Sequence, residues 1–268
     1  MILVIVIVLL LAVLTVLATM GRRTHPGLAS LQGWRYAHRG LHSEGIPENS
    51  MAAFRAALDA GFGIELDIHL MRDGQLAVIH DSSLRRTVGK DVRIEDLSSE
   101  KLADCFLEGT AETVPLFPQV LQLYAGKAPL IIELKSSGGN YAALAEAACK
   151  AMEGYEGPWC MESFDPRCVR WLKLHRPDII RGQLAENFLK TASPISGLLR
   201  FALTHQLLNF LLRPDFVAYK FDDRKTFSNF LVRKFWRVQG VTWTLKTPAA
   251  LHIAEAEGWL PIFEGFVP

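Results

Sequence analysis

Apolar and polar residues alternate along the chain in a way that predicts strands separated by helices. Short apolar runs have the period of strands, and the segments between several of them have the spacing of amphipathic helices. This order favours parallel βα units, and a count of eight strands favours a (β/α)8 TIM barrel of the α/β class. The strands are predicted at residues 35–38, 63–70, 130–135, 158–163, 179–184, 216–220, 240–245 and 260–266.

One predicted strand carries charged residues on one face. Residues 63–70, GIELDIHL, alternate strictly between apolar and polar positions. Glu65, Asp67 and His69 therefore share one face, because successive side chains of a strand point to opposite sides. An acidic strand face usually meets water, so the flanking sequence decides between solvent exposure and a functional site.

The flanking sequence predicts a hairpin. An Asp-Gly pair, a strong hairpin signal, follows the strand, and a second apolar strand ends at His80. With residues 71–74 as the turn, Glu65 would lie opposite His80, and Asp67 would lie opposite Val78. Directly opposed residues are about 5 Å apart, so we expect two carboxylates and a histidine to meet here.

A second strand places charges at the end of an apolar run. Residues 130–135, LIIELK, put Ile131, Glu133 and Lys135 on one face. Strands of parallel sheets are buried on both faces, so charges here are costly unless they have partners or a function. The two interpretations are a buried Glu–Lys ion pair and a functional site.

The N-terminal segment predicts a membrane anchor. Residues 1–20 are apolar apart from Thr15 and Thr19, and about 20 such residues suffice to cross a bilayer. A cleaved signal peptide fits less well, because the apolar run is long and no basic residue precedes it. Arg22 and Arg23 follow the segment, so the positive-inside rule predicts a single-pass membrane protein with a cytoplasmic catalytic domain.

Composition limits the classes of function. The chain has 268 residues, half of them hydrophobic, which suffices for one barrel-sized domain and a tail. A net charge of +1 does not indicate a nucleic-acid partner. The four cysteines lack CxxC spacing and are interpreted as buried thiols, Cys105, Cys149, Cys160 and Cys168.

Six short motifs together resemble one family. Each is weak alone, but their order and spacing match the glycerophosphodiester phosphodiesterases over most of the chain after residue 35. The motifs are HRG at 38–40, PENS at 47–50, ELD at 65–67, DG at 73–74, HD at 80–81 and ELK at 133–135. The resemblance implies hydrolysis of glycerophosphodiesters to glycerol 3-phosphate and an alcohol, through a cyclic glycerophosphate that water then opens.

The candidate site follows from this chemistry. Glu65, Asp67 and Glu133 are predicted to bind a hard divalent cation, Mg²⁺ or Ca²⁺, because they supply three carboxylates and no thiolate. His38 and His80 are predicted to be the acid–base pair, since histidine titrates near neutrality.

Other residues are predicted to bind the substrate. Arg39 and Lys135 would hold the phosphate. Glu48 would orient Arg39 or a substrate hydroxyl, or it would merely cap a helix. The resemblance implies that Phe164 and Trp243 wall the glycerol pocket.

The resemblance also divides the chain. We predict an anchor at 1–20, a linker at 21–33 and the barrel at 34–268, with a small insertion at 82–115 and an apolar loop insertion at 184–215. The second insertion either packs as an enlarged loop or lies at a lipid bilayer. An apolar lip over the site would favour a lysophospholipid substrate and lysophospholipase D activity. A non-catalytic headgroup-binding membrane protein is the remaining alternative, and the oligomeric state is left open.

Overall fold

Eight parallel strands close into a barrel, as the alternation of strands and helices predicts. A computed structural model describes residues 1–22, 25–190 and 195–268. The first strand, β1, pairs with both β9 and β2, which closes the sheet, and β3 pairs antiparallel with β2. The strands are β1 Tyr36–His38, β2 Gly63–Leu70, β3 Leu76–Val78, β4 Leu130–Leu134, β5 Trp159–Ser163, β6 Arg181–Ala185, β7 Phe216–Lys220, β8 Gln239–Leu245 and β9 Trp259–Phe263.

Helices surround the barrel. They are α1 Ile2–Ala18, α2 Met51–Asp59, α3 Phe117–Tyr124, α4 Tyr141–Ala151, α5 Pro166–His175, α6 Gly197–Thr204, α7 Asn209–Leu212, α8 Phe227–Phe230 and α9 Pro248–Ala256. Several begin at a side chain that accepts a backbone N–H of the first turn, as at Ser50, Asp165 and Thr247. Such caps satisfy donors that have no partner within the helix.

Every second side chain of a strand points into the barrel. These inward side chains are apolar in the first part of the strand and charged at its carboxyl end, where they form a charged rim. On β4 the inward residue Ile131 is buried in the inner core and is followed two positions later by Glu133. On β5 the corresponding pair is Cys160 and Glu162. The carboxyl ends of neighbouring strands therefore bring their charged residues to the same end of the barrel.

The predicted linker at 21–33 contains a short 3₁₀ helix, Pro26–Leu31. Its Leu28 and Leu31 are buried in the inner core, together with Tyr36 and Ile180. This segment thus contributes to the packing of the barrel interior.

The prediction of a transmembrane anchor at residues 1–20 was wrong, and so was the single-pass membrane location drawn from it. The apolar helix α1 covers 17 residues and ends at Ala18. Across residues 1–22, 25–190 and 195–268, no helix has the length and apolar character needed to cross a membrane. Arg23, which contributed to the predicted topology, lies outside the described residues.

The predicted insertion at 184–215 contains α6 and α7, and its residues 191–194 lie outside the described part. A hydrogen bond connects the insertion to the barrel: the hydroxyl of Tyr219 on β7 donates to the carbonyl of Thr204 at the end of α6 at 2.9 Å. Leu198 and Phe201 on α6 remain exposed.

Asp215 anchors the residues that follow α1 to the barrel. Its carboxylate is fully buried, accepts the guanidinium of Arg22, and accepts the backbone N–H of Arg181 at 3.0 Å. The Asp215→Ala variant would leave the buried Arg181 guanidinium without its counter-charge. We expect a loss of about 3–5 kcal/mol in the free energy of unfolding, measured by urea denaturation.

The control for this prediction is Arg176→Ala, which breaks a more exposed pair with Asp178. It should cost less than about 1 kcal/mol. Equal losses in the two variants would contradict a structural role for the Asp215 cluster.

Candidate active site

The charged rim of the barrel surrounds a cavity of about 110 Å³. Among the residues that line it are His38, Arg39, Glu65, His80, Glu133, Lys135, Glu162, Phe164 and Trp243. The structure therefore brings together most of the predicted site residues, which lie on β1, β2, β4 and β8 and in the segments that follow β1, β3, β4 and β5. A larger groove of about 410 Å³ opens elsewhere, but its Arg35 and Glu255 pair with each other.

Three carboxylates form the centre of the site. Glu65, Asp67 and Glu133 are buried, and each offers an oxygen within 4.8 Å of the other two. Burial and the two neighbouring carboxylates raise the pKa of Glu65 well above its usual range. Burial also raises the pKa of Glu133, to about 7, against the opposing effect of Lys135. A hard divalent cation would supply the missing positive charge, and this set of carboxylate donors fits such a cation.

Two cationic side chains already offset part of this negative charge. Lys135 Nζ lies 3.0 Å from an Asp67 oxygen and 2.8 Å from a Glu133 oxygen. Arg39 Nε lies 3.5 Å from the other Asp67 oxygen. Burial alone would raise the pKa of Asp67, but Lys135, His80 and Arg39 hold it well below its usual range. Asp67 is therefore the carboxylate that stays ionised.

The HRG motif is a tight turn after β1. Arg39 and Gly40 have φ values of +55° and +81°, in the left-handed region that favours glycine. A Cβ on Gly40 would lie 2.8 Å from the carbonyl carbon of Ala53 in α2, so a larger residue does not fit. The turn lets the Arg39 backbone N–H reach the Glu65 carbonyl at 2.9 Å.

The PENS motif connects this turn to the carboxylates. Glu48 accepts Arg39 Nη1 at 3.0 Å, and Asn49 Nδ2 donates to Asp67 at 2.8 Å. Ser50 caps α2. Of the three roles considered for Glu48, the geometry favours orienting Arg39, because Ser50 supplies the cap.

His38 is held by a carboxylate from the last strand end. Its Nδ1 bonds to Glu264, and its Nε2 lies 3.8 Å from Glu65. Burial lowers the pKa of His38, while the Glu264 bond opposes that shift. The same bond lowers the pKa of Glu264 to about 2. We assign the ring proton to Nδ1, which leaves Nε2 as the free base.

His80 has the same kind of support from different residues. Its Nδ1 lies 2.7 Å from Asp81, which also accepts Arg86. Arg86 in turn donates to Glu48. Burial lowers the pKa of His80 as well. Both histidines thus carry a carboxylate at Nδ1.

The predicted hairpin forms, but its register differs by one residue. Val78 lies opposite Ile68, not Asp67. The Met71 N–H donates to the Gln75 carbonyl at 2.9 Å, which leaves a three-residue loop closed by Gly74 at φ +82°. The odd loop length shifts the register, so His80 reaches the site from beyond the end of β3 and not across the ladder.

His69, on the same strand, is buried away from the cavity. Its two ring nitrogens contact a Glu95 oxygen at 2.9 Å and the backbone carbonyl of His80 at 3.1 Å. Glu95 belongs to the predicted insertion at 82–115, which therefore packs beside the site.

Aromatic rings form the other side of the cavity. Phe164 and Trp243 meet edge to face with 5.6 Å between ring centroids, and Phe188 contacts Phe164 at 6.1 Å. Trp243 Nε1 donates to the Ala218 carbonyl at 3.2 Å, which fixes its ring.

Several residues of the site were not predicted. Glu162 has the inward parity of Cys160 and Phe164, and this alternation was the signal that could have revealed it. Burial, with Glu133 nearby, raises the pKa of Glu162 well above its usual range. The support that Glu264 gives His38 depends on two distant chain segments and has no local sequence signal.

The fold and the site define a TIM barrel with histidines and buried carboxylates around a cavity at the carboxyl ends of its strands. Residues 38–156 match the model of the Glycerophosphoryl diester phosphodiesterase family, which supports the family indicated by the motifs. A glycerophosphodiester phosphodiesterase of Bacillus altitudinis is 40% identical over 130 residues, covering 45% of this chain and 53% of the relative.

Other relatives extend the comparison. A glycerophosphodiester phosphodiesterase of Caldanaerobacter subterraneus is 36% identical, covering 55% of this chain and 65% of the relative. The chain therefore spans roughly half to two thirds of the length of these curated relatives. A lysophospholipase D of Rattus norvegicus is 34% identical over 112 residues, covering 37% of this chain and 35% of the relative.

Solved structures share the fold. An Oleispira antarctica phosphodiesterase in complex with the product sn-glycerol-3-phosphate aligns with a TM-score of 0.70 at 21% identity, covering 88% of this chain and 94% of that one. A Thermotoga maritima glycerophosphodiester phosphodiesterase gives 0.67 at 21% identity, covering 85% and 92%. These alignments support the barrel across nearly the whole chain.

Glu264 should set the titration of His38. Burial lowers the pKa of His38, and the Glu264 carboxylate opposes this change. The Glu264→Gln variant removes that carboxylate, so the pKa of His38 should fall further and the ring should stay neutral to lower pH. NMR titration of the His38 ring measures this. The control is Glu255→Gln, which removes the partner of Arg35 at a distant groove. An unchanged His38 titration in Glu264→Gln would count against the assignment.

Proposed function

We propose that this chain is a glycerophosphodiester phosphodiesterase that depends on a divalent cation and uses His38 and His80 as its acid–base pair. The main observation is that two histidines, each bonded to a carboxylate at Nδ1, line the same cavity as Glu65 and Glu133, two members of the buried triad of carboxylates. A phosphodiester needs charge neutralisation, a base and an acid, and these residues supply all three.

The binding of the phosphate is proposed first. Glu65, Asp67 and Glu133 would hold Mg²⁺ or Ca²⁺, and a bound cation would supply positive charge that polarises the phosphoryl group. Arg39 and Lys135 add donors at the same place. Arg39 Nε is buried without a hydrogen-bond partner among the described residues, which leaves it able to donate to a phosphate oxygen.

The histidines would then move two protons. One neutral histidine takes the proton of the substrate hydroxyl next to the phosphate, and that oxygen forms a bond to phosphorus. The other, in its protonated form, gives a proton to the alkoxide as its bond to phosphorus breaks. The cyclic product is opened by water with the roles exchanged, so both histidines return to their first state.

The test is release of glycerol 3-phosphate from glycerophosphocholine and glycerophosphoethanolamine, with Mg²⁺, with Ca²⁺ and with chelator. His38→Ala and His80→Ala should each lower kcat by about 10²- to 10⁴-fold, because each removes one proton transfer. Calorimetry should show cation binding unchanged in both variants, whereas Glu133→Gln should weaken it.

His252→Ala provides a matched control, since His252 is an exposed histidine on α9. A fully active His38→Ala protein would refute the acid–base assignment. Headgroup binding without turnover by the wild type would favour the non-catalytic alternative.

A lysophospholipid substrate is a second candidate, supported by the start of the insertion at 184–215. Phe188 packs against Phe164 at the cavity, and the next residue, Leu189, is exposed. Arg200 of α6 donates to the Phe188 carbonyl at 2.8 Å. An apolar rim of this kind suits a substrate with an acyl chain, and one relative is named a lysophospholipase D.

Phe188→Ala separates the two candidates. If acyl chains bind at this rim, the variant should lose about tenfold in kcat/KM for choline release from lysophosphatidylcholine, because the contact surface is lost. Its activity on glycerophosphocholine should stay within about twofold. Equal activity of variant and wild type on the lipid would remove the second candidate.

A further inference from the structure

Glu162 is a buried carboxyl that the mechanism above does not use. It lies near the end of β5, is 1% exposed and lines the cavity with His38, Lys135 and Trp243. Its Oε2 atom has no hydrogen-bond partner among the described residues. An unpaired polar atom of this kind costs free energy in the folded protein, so its persistence points to a partner supplied by a ligand.

The neighbours of Glu162 leave its carboxyl directed at the cavity. On one side it is in register with Glu133, whose oxygen already accepts Lys135. On the other side it is in register with Gly182, which contributes no side chain. A Cβ at Gly182 would lie 2.1 Å from the ring of Phe216, so that apolar ring fills the adjacent space. The protein therefore offers Glu162 neither a donor nor a counter-charge on that side.

Glu162 lies outside the group of carboxylates suited to a cation. Within the described part of the chain, that group consists of Glu65, Asp67 and Glu133. Glu162 instead stands between this group and the aromatic side of the cavity, because Phe164 follows two positions later with the same inward parity. A substrate whose phosphate lies at the triad would place its organic part along Glu162.

We propose that Glu162 is a specificity-determining residue that accepts a hydrogen bond from the glycerol hydroxyl that does not attack the phosphate. This inference rests on the proposed function and adds a recognition contact to it. It predicts selection for diesters whose alcohol carries a second hydroxyl beyond the attacking one. A site with a buried acceptor discriminates strongly against analogues that leave the acceptor unpaired.

The test compares two substrates that differ in one hydroxyl. Glycerophosphocholine has both hydroxyls, and the phosphocholine diester of propane-1,2-diol, phosphorylated on carbon 1, keeps the attacking hydroxyl but has a methyl group in place of the other. Wild-type enzyme should prefer the first by about 10- to 100-fold in kcat/KM. Glu162→Leu should lower kcat/KM for the first substrate only, so that the preference is lost. The difference between the effects on the two substrates measures the coupling between Glu162 and the hydroxyl, as in a double-mutant cycle.

A second variant and two further measurements exclude other roles. Glu162→Gln keeps a hydrogen-bond acceptor of the same shape, so it should retain most of the preference. Calorimetric titration with Mg²⁺ and with Ca²⁺ should give unchanged affinity in both variants. Thermal unfolding of Glu162→Leu should occur at the wild-type temperature or above it, because the variant removes an unpaired buried group.

The outcomes distinguish this inference from the function on which it rests. Equal rates of wild type on the two substrates, or equal losses of Glu162→Leu on both, would overturn the role of Glu162 and leave the phosphodiesterase intact. Weaker cation binding in both variants would assign Glu162 to the cation and also overturn the inference. Absence of turnover by the wild type on both substrates would refute the proposed function, and the inference with it.

Discussion

The site depends on the mutual repulsion of carboxylates that the barrel holds close together. Glu65 and Asp67 on β2, Glu133 on β4 and Glu162 on β5 are all buried, and the cations nearest them are Lys135 and Arg39. An arrangement of this kind is unfavourable for the isolated fold, because like charges in a medium of low dielectric repel strongly. The divalent cation and the phosphodiester of the proposed function would offset this repulsion.

The turns around the site keep this arrangement from relaxing. Arg39 and Asn49 have φ values of +55° and +54°. The backbone N–H of Arg39 donates to the carbonyl of Glu65, and the backbone N–H of Asn49 donates to the carbonyl of Arg39. Glu48 accepts hydrogen bonds from both Arg39 and Arg86, and Arg86 also donates to Asp81. The acidic centre and the support of His80 therefore form one connected network, in which each member fixes the orientation of the next.

Residues at the amino ends of the strands stabilise the barrel, whereas residues at the carboxyl ends form the candidate site. Leu28, Leu31 and Asp215 pack or pair near the amino ends of the strands, where they close the inner core and anchor the N-terminal segment. The carboxyl ends carry unpaired and strained groups, which stability alone would not favour. This division is the general pattern of TIM barrels, whose loops after the strands can vary without loss of the packed interior.

The sequence by itself determined the strands, the eightfold alternation and the motifs that bring Glu65, Asp67, Glu133 and the two histidines to one site, because these depend on short-range period and local turns. Only the tertiary structure decided the support of His38 by Glu264, since β1 and β9 become neighbours only on closure of the barrel. The hairpin register depended on one extra loop residue, and the length of α1 on where its helical hydrogen bonds end. Neither follows from hydrophobic pattern, because that pattern records which face is apolar and not where an element stops.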